Sequence, residues 1–319
     1  MKLRSFRLAS AVLALSVLGI PPVAGAPEMV SLAFNSAPQA PQQIGADVFR
    51  RKLSELAENR IVVDERGGNT LGSEMAILAA MRNGVVDVGT LSGATLSSVV
   101  PEFGVFDVPF LFRDAAQAKT VAEGPVGAEL AKHCSDKGLV LLAIGKQGFR
   151  NITNSKRPIR TPEDVKGLKI RVLPNDVYKM TFKALGAEVV PMEFPLVYSG
   201  LRDGRIDGME NAVTTIATGH FEEVLKYVSL TGHSFSPIAF VANRDAFQAL
   251  KPADQAAIIA AAKAGTAQEA KELDALRKGG MDVIERVDRQ PFIEAVKQLE
   301  PEFEKRFGKA VLAQIRATP

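Results

Sequence analysis

The sequence predicts an α/β protein with two domains of similar build, and three observations support that prediction. Short apolar β patterns alternate with amphipathic helical patterns in two separate series along the chain. A nearly identical helix end occurs in both series. The 319 residues, 46% of them hydrophobic, are enough to build two domain-sized cores.

The first series runs strand, helix, strand, helix, strand, which is typical of a mostly parallel sheet flanked by helices. Its predicted elements are strand 29–34, helix 44–57, strand 60–64, helix 75–81 and strand 85–91. The second series consists of strand 139–144, strand 168–172, helix 177–185, strand 188–191 and helix 196–201. Strands and helices thus occur in two series, and the architecture repeats.

The clearest sign of the repeat is a shared helix end. Residues 81–87 read Met-Arg-Asn-Gly-Val-Val-Asp, and residues 201–207 read Leu-Arg-Asp-Gly-Arg-Ile-Asp. Gly84 and Gly204 suit the position after each helix, because glycine adopts the left-handed conformation there without steric cost. Such joints also recur by chance in α/β proteins, so the motif supports two similar domains only together with the two series.

The segment from residue 252 onward is rich in Ala, Lys, Glu and Gln. Its apolar residues, such as Ile259, Ala262 and Leu273, follow helical spacing until Gly279. We expect this tail to return across both domains and hold them together while allowing them to hinge. Since no low-complexity linker separates the domains, we expect strands that cross between them rather than a flexible tether.

The first 25 residues have the order of a secretory signal peptide. Three cations, Lys2, Arg4 and Arg7, precede the apolar run 8–20, and small residues follow it. That run is shorter than the roughly 20 residues of a membrane-crossing helix, so a retained anchor is the weaker interpretation. We expect cleavage near Ala26 and an exported protein without stable membrane insertion.

The charge of the mature chain argues against nucleic acid as a partner. The full sequence has 39 basic and 36 acidic residues, and the three excess cations all lie in the predicted signal peptide. The remaining chain is balanced, so it has no overall field to attract nucleic acid or an anionic membrane.

The motifs of common catalytic sites are missing from the sequence. His133, His220, His233 and the single Cys134 do not form a zinc, thiolate-metal or dithiol redox motif, so we expect no metal and no cofactor. Neither a glycine-rich phosphate loop nor a Gly-x-Ser-x-Gly turn occurs. We therefore expect a protein that is not an enzyme, with His220 and His233 at the surface or at a cleft edge. An exported lyase or isomerase that uses one Lys or one carboxylate is the alternative.

An arginine within an apolar strand points to a ligand. Arg171 lies between Ile170 and Val172, whose side chains point to the opposite face of a strand. A buried guanidinium needs a partner, and it pairs best with a carboxylate through two parallel hydrogen bonds. The alternatives are an arginine that faces solvent and one that pairs with an acid of the same chain.

Two further polar residues lie at positions suited to a ligand. Arg150 follows a predicted strand, at the end where α/β folds place ligand-contacting groups, although a loop arginine in water is equally consistent. Asn211 supplies an amide that can donate and accept hydrogen bonds, or it caps the helix that starts after it.

Five segments carry a resemblance to a known family. They are Asp-Val-Pro-Phe-Leu-Phe at 107–112, Gly-Phe-Arg-Asn-Ile-Thr-Asn at 148–154, Thr-Pro-Glu-Asp-Val-Lys-Gly-Leu-Lys-Ile-Arg-Val at 161–172, Ala-Leu-Gly-Ala at 184–187 and Asp-Gly-Met-Glu-Asn at 207–211. In this order and spacing the sequence resembles the periplasmic solute-receptor subunit of tripartite ATP-independent periplasmic (TRAP) transporters, the DctP-like family. The resemblance extends over nearly the whole mature chain.

The resemblance implies a periplasmic-binding-protein-like clamshell with hinge strands and a long domain-spanning helix. Domain I is then expected over residues 26–148 and 237–278, and domain II over 149–236 and 279–319. It also implies capture of a small organic acid in the periplasm by domain closure, and delivery of the acid to the small and large TRAP membrane subunits. The alternative partner is a sensor kinase that reads the loaded receptor.

By resemblance, four residues of the second domain contact the ligand. Arg171 clamps its carboxylate, Arg150 assists, Asn211 orients the acid from the other side, and Phe194 forms an aromatic wall.

The first domain is expected to contribute Asn35 at a strand end, Ser73 at a helix start, and Ser92 with Thr95 after the third strand. Because Ser92 and Thr95 are neutral, we expect no counter-charge for an amine on the ligand. Lys146 lies where many relatives have aromatic residues and would add a second cation. These features favour a small carboxylate, with a dicarboxylate, a hydroxy acid and a keto acid as candidates.

Overall fold

The computed structural model describes residues 27–266 and 273–319. The predicted signal peptide and its cleavage site lie outside the described residues. The strands are β1 Glu28–Phe34, β2 Ile61–Arg66, β3 Val88–Ser92, β4 Leu139–Asn154, β5 Lys169–Val172, β6 Glu188–Pro191, β7 Gly208–Ala212, β8 Tyr227–Asn243 and β9 Asp282–Ile284. The helices are α1 Pro41–Leu56, α2 Glu74–Arg82, α3 Gly93–Leu96, α4 Ala115–Glu123, α5 Pro125–Asp136, α6 Asp176–Ala184, α7 Val197–Arg202, α8 Val213–Thr218, α9 Arg244–Ala249, α10 Pro252–Gly265, α11 Leu273–Lys278, α12 Gln290–Val296, α13 Glu300–Phe307 and α14 Lys309–Ala317.

The strands form one sheet in the order β2-β1-β3-β8-β4-β7-β5-β6, with β9 beside β8. Strands β1, β2 and β3 are parallel and form the first lobe, and β5, β6 and β7 are parallel and form the second lobe. Strands β4 and β8 lie between them and run antiparallel to each other and to their neighbours β7 and β3. The predicted two α/β lobes of similar build are confirmed.

Two long strands connect the lobes. Strand β4 has 16 residues and β8 has 17. One end of β8 pairs with β3 in the first lobe, and its other end pairs with β9 against the second lobe. The β4–β8 register shifts between Lys146 and Gly148, where Gly148 has a φ of 123°. The strands expected to cross between the domains are therefore present, with an irregularity in β4 where the lobes meet.

The shared helix end adopts the same geometry in both lobes. Gly84 after α2 and Gly204 after α7 have φ values of 72° and 70°. The N–H of Val85 donates to the carbonyl oxygen of Ala80 at 2.9 Å, and the N–H of Arg205 donates to that of Gly200 at 2.8 Å. Both helices thus end in a Schellman motif, as the repeated sequence predicts.

The C-terminal tail contacts both lobes. Helix α10 packs against α1 of the first lobe, and α11 packs against α8 of the second lobe, where Leu276 is buried. Residues 267–272, between these helices, lie outside the described part of the chain. The prediction of one long domain-spanning helix falls partly on those residues.

Each lobe has its own hydrophobic core. In the first lobe the rings of Phe49 and Phe240 stack with centroids 5.5 Å apart. In the second lobe Val197, Met209 and Phe221 belong to one buried cluster. Two packed lobes joined by β4 and β8 leave the space between them for a ligand. Over the described ranges, none of the helices has both the length and the apolar character needed to cross a membrane.

Candidate functional site

A cavity of about 580 Å³ lies between the lobes. It is lined by Asn35, Ser36, Ala37, Ala40, Gln42, Glu74, Ser92 and Thr95 of the first lobe and by Gln147, Arg150, Arg171, Leu173, Glu193, Phe194, Asn211, Thr215, Thr218 and Gly219 of β4 and the second lobe. Seven of the eight residues predicted from the sequence are among these lining residues, and Ser73 is not.

Arg171 is wholly buried on β5. Its Nε donates a 2.8 Å hydrogen bond to the carbonyl oxygen of Met192, whereas neither Nη1 nor Nη2 has a hydrogen-bond partner among the described residues. Burial lowers the pKa of this guanidinium to about 10, because the charged form loses its hydration, yet the group stays charged at neutral pH. The side chain is thus held by one nitrogen and presents two donors to the cavity.

The chain segment after β6 forms the wall beside Arg171. The Cζ of Arg171 lies 6.0 Å from the centroid of the half-buried Phe194 ring. Burial raises the pKa of the Glu193 carboxyl above its ordinary value, although the charge of Arg171 opposes that shift. The ring of Phe194 and the carboxyl of Glu193 therefore lie beside Nη1 and Nη2 of Arg171.

Arg150 is also buried, but its guanidinium has a partner within the chain. It forms an ion pair with Glu210, in which Nη2 lies 2.9 Å from Oε1 and Nε contacts Oε2. Burial alone would raise the pKa of Glu210, but the charge of Arg150 and a hydrogen bond with His233 hold the pKa below its ordinary value. The pair is neutral overall, so Arg150 is neither a loop arginine in water nor an unpaired cation.

His233 differs from the expectation of a surface or cleft-edge residue. It is buried, its Nδ1 lies 2.9 Å from the hydroxyl of Thr231, and its Nε2 lies 3.4 Å from Oε2 of Glu210. The expectation was wrong because the buried partner Glu210 lies 23 residues away in sequence and meets His233 only in the folded protein. His220 is exposed, as expected.

Asn211 lies on β7, and its Oδ1 accepts a 2.9 Å hydrogen bond from the N–H of Ala212. The alternative role as a helix cap does not occur, because the cap position of α8 is Ala212. This leaves the amide of Asn211 on the cavity wall beside Arg150 and Arg171.

In the first lobe, Asn35 follows β1 and is buried. Its Nδ2 donates to Oδ1 of Asn69 at 2.9 Å and also to the carbonyl oxygen of Gly72. In the part of the chain that the structure describes, its Oδ1 and the hydroxyl of Ser36 are buried without hydrogen-bond partners. This wall therefore offers an acceptor and a hydroxyl to the cavity.

Ser73 serves its helix rather than the cavity. Its hydroxyl accepts a hydrogen bond from the N–H of Ala76 at 3.3 Å and caps α2. Its neighbour Glu74 points into the cavity instead.

Glu74 is an acidic lining residue that was not predicted from the sequence. Its Oε2 accepts hydrogen bonds from the hydroxyls of Ser92 and Thr95, the latter at 2.6 Å, and its Oε1 accepts one from Nε2 of Gln42 at 2.9 Å. The expectation that a ligand amine has no counter-charge near Ser92 and Thr95 was therefore wrong. A signal for Glu74 existed in its position in the first turn of α2, but an acid there is ordinary because it interacts favourably with the helix dipole.

Gln147 was also missed. Its Nε2 donates to the hydroxyl of Thr215 at 2.6 Å, and its Oε1 accepts from Ser236 at 2.8 Å. Lys146, expected as a second cation, is exposed and is not among the lining residues. Alternation along β4 places the neighbouring Gln147 at the cavity instead.

Cavity residues from two lobes suit a protein that closes on a small solute. Within the described residues, no group of three or more His, Cys, Asp or Glu side chains is placed to hold a metal ion.

Comparisons with known proteins agree with this geometry. The family model described as "Bacterial extracellular solute-binding protein, family 7", DctP, matches residues 32–306. The 2,3-diketo-L-gulonate-binding periplasmic protein YiaO of Escherichia coli K12 is 33% identical over 93% of this chain and 92% of its own length.

Two solved structures show the same architecture. A TRAP periplasmic solute-binding protein from Polaromonas sp. JS666, bound to D-erythronate, has a TM-score of 0.89 at 33% identity, covering 91% of this chain and 99% of that one. One from Sulfurospirillum deleyianum DSM 6946, bound to succinate, has a TM-score of 0.83 at 25% identity, covering 92% and 100%. With its two lobes, crossing strands and cleft arginine, the chain belongs to the DctP family of TRAP-type periplasmic solute-binding proteins.

Proposed function

We propose that this protein captures a small organic acid between its lobes, with Arg171 holding the carboxylate, and delivers it to TRAP membrane subunits. The observation that carries the proposal is the state of the Arg171 guanidinium. Its Nε is bound to Met192, while Nη1 and Nη2 are buried and unpartnered beside the cavity. Leaving charged donors buried without partners is costly, so the site favours an anionic ligand that accepts from both.

A carboxylate fits these donors by geometry as well as by charge. The two oxygens of a carboxylate accept two parallel hydrogen bonds from one planar guanidinium. The hydrogen bond from Nε to Met192 fixes the plane of the Arg171 guanidinium before the ligand binds. Arg150 takes a secondary role, because its own charge is balanced by Glu210 and its contribution comes through the shape and polarity of the wall.

Closure of the lobes completes the site. The cavity walls come from both lobes, so an open form separates Asn35 and Glu74 from Arg171 and admits the acid. The hinge is the irregular pairing of β4 near Gly148, between the lobe that contains β1, β2 and β3 and the lobe that contains β5, β6 and β7. A ligand that bridges the lobes stabilises the closed form and so reports occupancy to the membrane subunits.

The relatives support an acid as the ligand. Those described above were named for, or solved with, 2,3-diketo-L-gulonate, D-erythronate and succinate, which share a carboxylate. The family consists of solute receptors rather than enzymes. The protein accordingly acts in the periplasm, binds its acid without turnover, and uses neither metal nor cofactor. If the protein were a lyase, incubation with the acid would yield a product. If it served a sensor kinase instead of a transporter, a strain without the gene would take up the acid normally.

The role of Arg171 is tested by calorimetry on acids found in a thermal-shift screen, because a ligand of the folded state raises the melting temperature. Arg171→Ala weakens acid binding at least about 100-fold, and Arg171→Lys has an intermediate effect because it keeps the charge but loses the fork. Lys169→Ala, on an exposed residue of the same strand, leaves affinity unchanged. Unaltered affinity in folded Arg171→Ala protein would refute the assignment.

A further inference from the structure

The two walls of the cavity present opposite hydrogen-bonding groups. On the second lobe, Nη1 and Nη2 of Arg171 are buried donors without partners. On the first lobe, Oδ1 of Asn35 is a buried acceptor without a partner, and the Ser36 hydroxyl beside it is also unpartnered. A ligand that satisfies both walls therefore accepts hydrogen bonds at one end and donates them at the other.

Glu74 strengthens the acceptor character of the first wall. Its Oε2 receives donors from Ser92 and Thr95, whereas Oε1 receives one hydrogen bond, from Gln42. A carboxylate oxygen has two lone pairs, so Oε1 keeps one acceptor position for a ligand. The described groups that hydrogen-bond to Glu74 are neutral, so none of them pairs its negative charge beside the cavity.

The charges that line the cavity do not suit a second ligand carboxylate. Among the described lining residues the cations are Arg150 and Arg171, and Arg150 is already paired with Glu210. The acids are Glu74 and Glu193. A dicarboxylate held by Arg171 would bring its second carboxylate toward Glu74, where like charges repel and no unpaired cation among the described lining residues offsets the repulsion. A hydroxyl group meets no such penalty, because it donates to Glu74 or Asn35.

We infer that this site selects acids with one carboxylate and several hydroxyl groups, and that Glu74 and Asn35 bind the hydroxyl end. This inference rests on the proposed function, in which Arg171 holds the carboxylate. Glu74 becomes the residue that determines specificity against dicarboxylates. A ligand ammonium would also suit the charge of Glu74, but the amides of Gln147 and Asn211 on the remaining wall both donate and accept, which matches hydroxyl groups.

The test uses calorimetry with four-carbon acids that share a C1 carboxylate and differ in the groups on the other carbons. The probes are 2,3,4-trihydroxybutanoate, succinate, butanoate and 4-aminobutanoate, with D-gluconate and adipate as a longer pair. In the four-carbon set, the six-carbon pair or both, the wild-type protein binds the hydroxy acid about 100-fold more tightly than the dicarboxylate of the same length. Butanoate, which has no hydroxyl group, binds as weakly as succinate. Glu74→Gln weakens hydroxy-acid binding about tenfold to 100-fold and narrows the gap to the dicarboxylate. Glu55→Gln, at an exposed position of α1, changes neither affinity.

The outcomes separate this inference from the proposed function. If succinate or 4-aminobutanoate binds as tightly as the hydroxy acids, and Arg171→Ala still abolishes binding, the carboxylate clamp holds and the selection by Glu74 is refuted. An unchanged ratio of affinities in Glu74→Gln protein refutes it as well. If none of the acids binds the wild-type protein, the proposed function fails together with the inference.

Discussion

The hydroxyl of Tyr178 donates a 2.8 Å hydrogen bond to Oδ1 of Asp107, joining helix α6 of the second lobe to the first lobe beside the cavity. Nδ2 of Asn175 donates to the other oxygen of the same carboxyl at 3.0 Å. Burial raises the pKa of Asp107 to about 7, although the bond from Tyr178 and the charge of Arg150 oppose that shift. The contact between the lobes therefore contains a group that titrates near neutral pH.

The first prediction concerns the pH dependence of stability. Since the folded pKa of Asp107 lies above the ordinary value of 3.8, the folded state binds more protons than the unfolded state between about pH 4 and pH 7. The contribution of Asp107 to stability then falls as pH rises through that window, by up to about 4 kcal/mol at about 1.4 kcal/mol per pKa unit. Urea denaturation of wild-type and Asp107→Asn protein at pH 4.5 and pH 8 measures this contribution. A difference between the two proteins that stays constant with pH would contradict the prediction.

A second prediction concerns the buried pair of Arg150 and Glu210. Glu210→Gln leaves Arg150 buried without its counter-charge, so we expect the free energy of unfolding to fall by about 3–5 kcal/mol. The exposed pair of Arg277 and Glu285 provides a matched control, and Glu285→Gln costs less than about 1 kcal/mol. An equal loss of unfolding free energy in the two variants would contradict the prediction, because it would show that burial does not make the Arg150 pair more important for stability.

The third prediction concerns the two repeated helix ends. A Cβ added at Gly84 or Gly204 meets no atom within 4 Å, so the cost of alanine there is conformational alone. We expect Gly84→Ala and Gly204→Ala each to lower the free energy of unfolding by about 1 kcal/mol. Asparagine, which tolerates the left-handed conformation better, costs less at both positions. The prediction fails if alanine and asparagine are equivalent.

A fourth prediction separates the two serines expected at the ligand. Ser73→Ala removes a helix cap, which costs about 1 kcal/mol of stability, and leaves acid affinity unchanged. Ser92→Ala removes a hydrogen bond to Glu74, so we expect it to weaken the binding of the acid several-fold. Calorimetry and thermal melts on both variants distinguish the roles, and loss of affinity in Ser73→Ala would contradict them.

Several features of the fold were predictable because their causes are local. Gly84 and Gly204 end helices through a conformation that glycine favours, so the sequence alone identifies both helix ends. Strand β4 was predicted only to residue 144, whereas it continues to Asn154. Pairing with β8, which lies far along the chain, carries the strand past residue 144 with register shifts.

The site was predictable where a residue type is unusual for its element. Arg171 stands out as a cation within an apolar strand, which the sequence shows directly. Glu74 does not, because an acid in the first turn of a helix is ordinary. Its role depends on Ser92 and Thr95, which reach it only through the packing of α2 beside β3. Contacts between residues that are distant in sequence cannot be predicted from the local sequence pattern.

The most direct test of the central claim is a crystal structure of the protein with the tightest-binding acid from the calorimetric panel. We predict that both oxygens of one ligand carboxylate lie within about 2.7–2.9 Å of Nη1 and Nη2 of Arg171. A ligand bound elsewhere, or one whose carboxylate contacts another group while the Arg171 fork stays unpaired, would contradict the account.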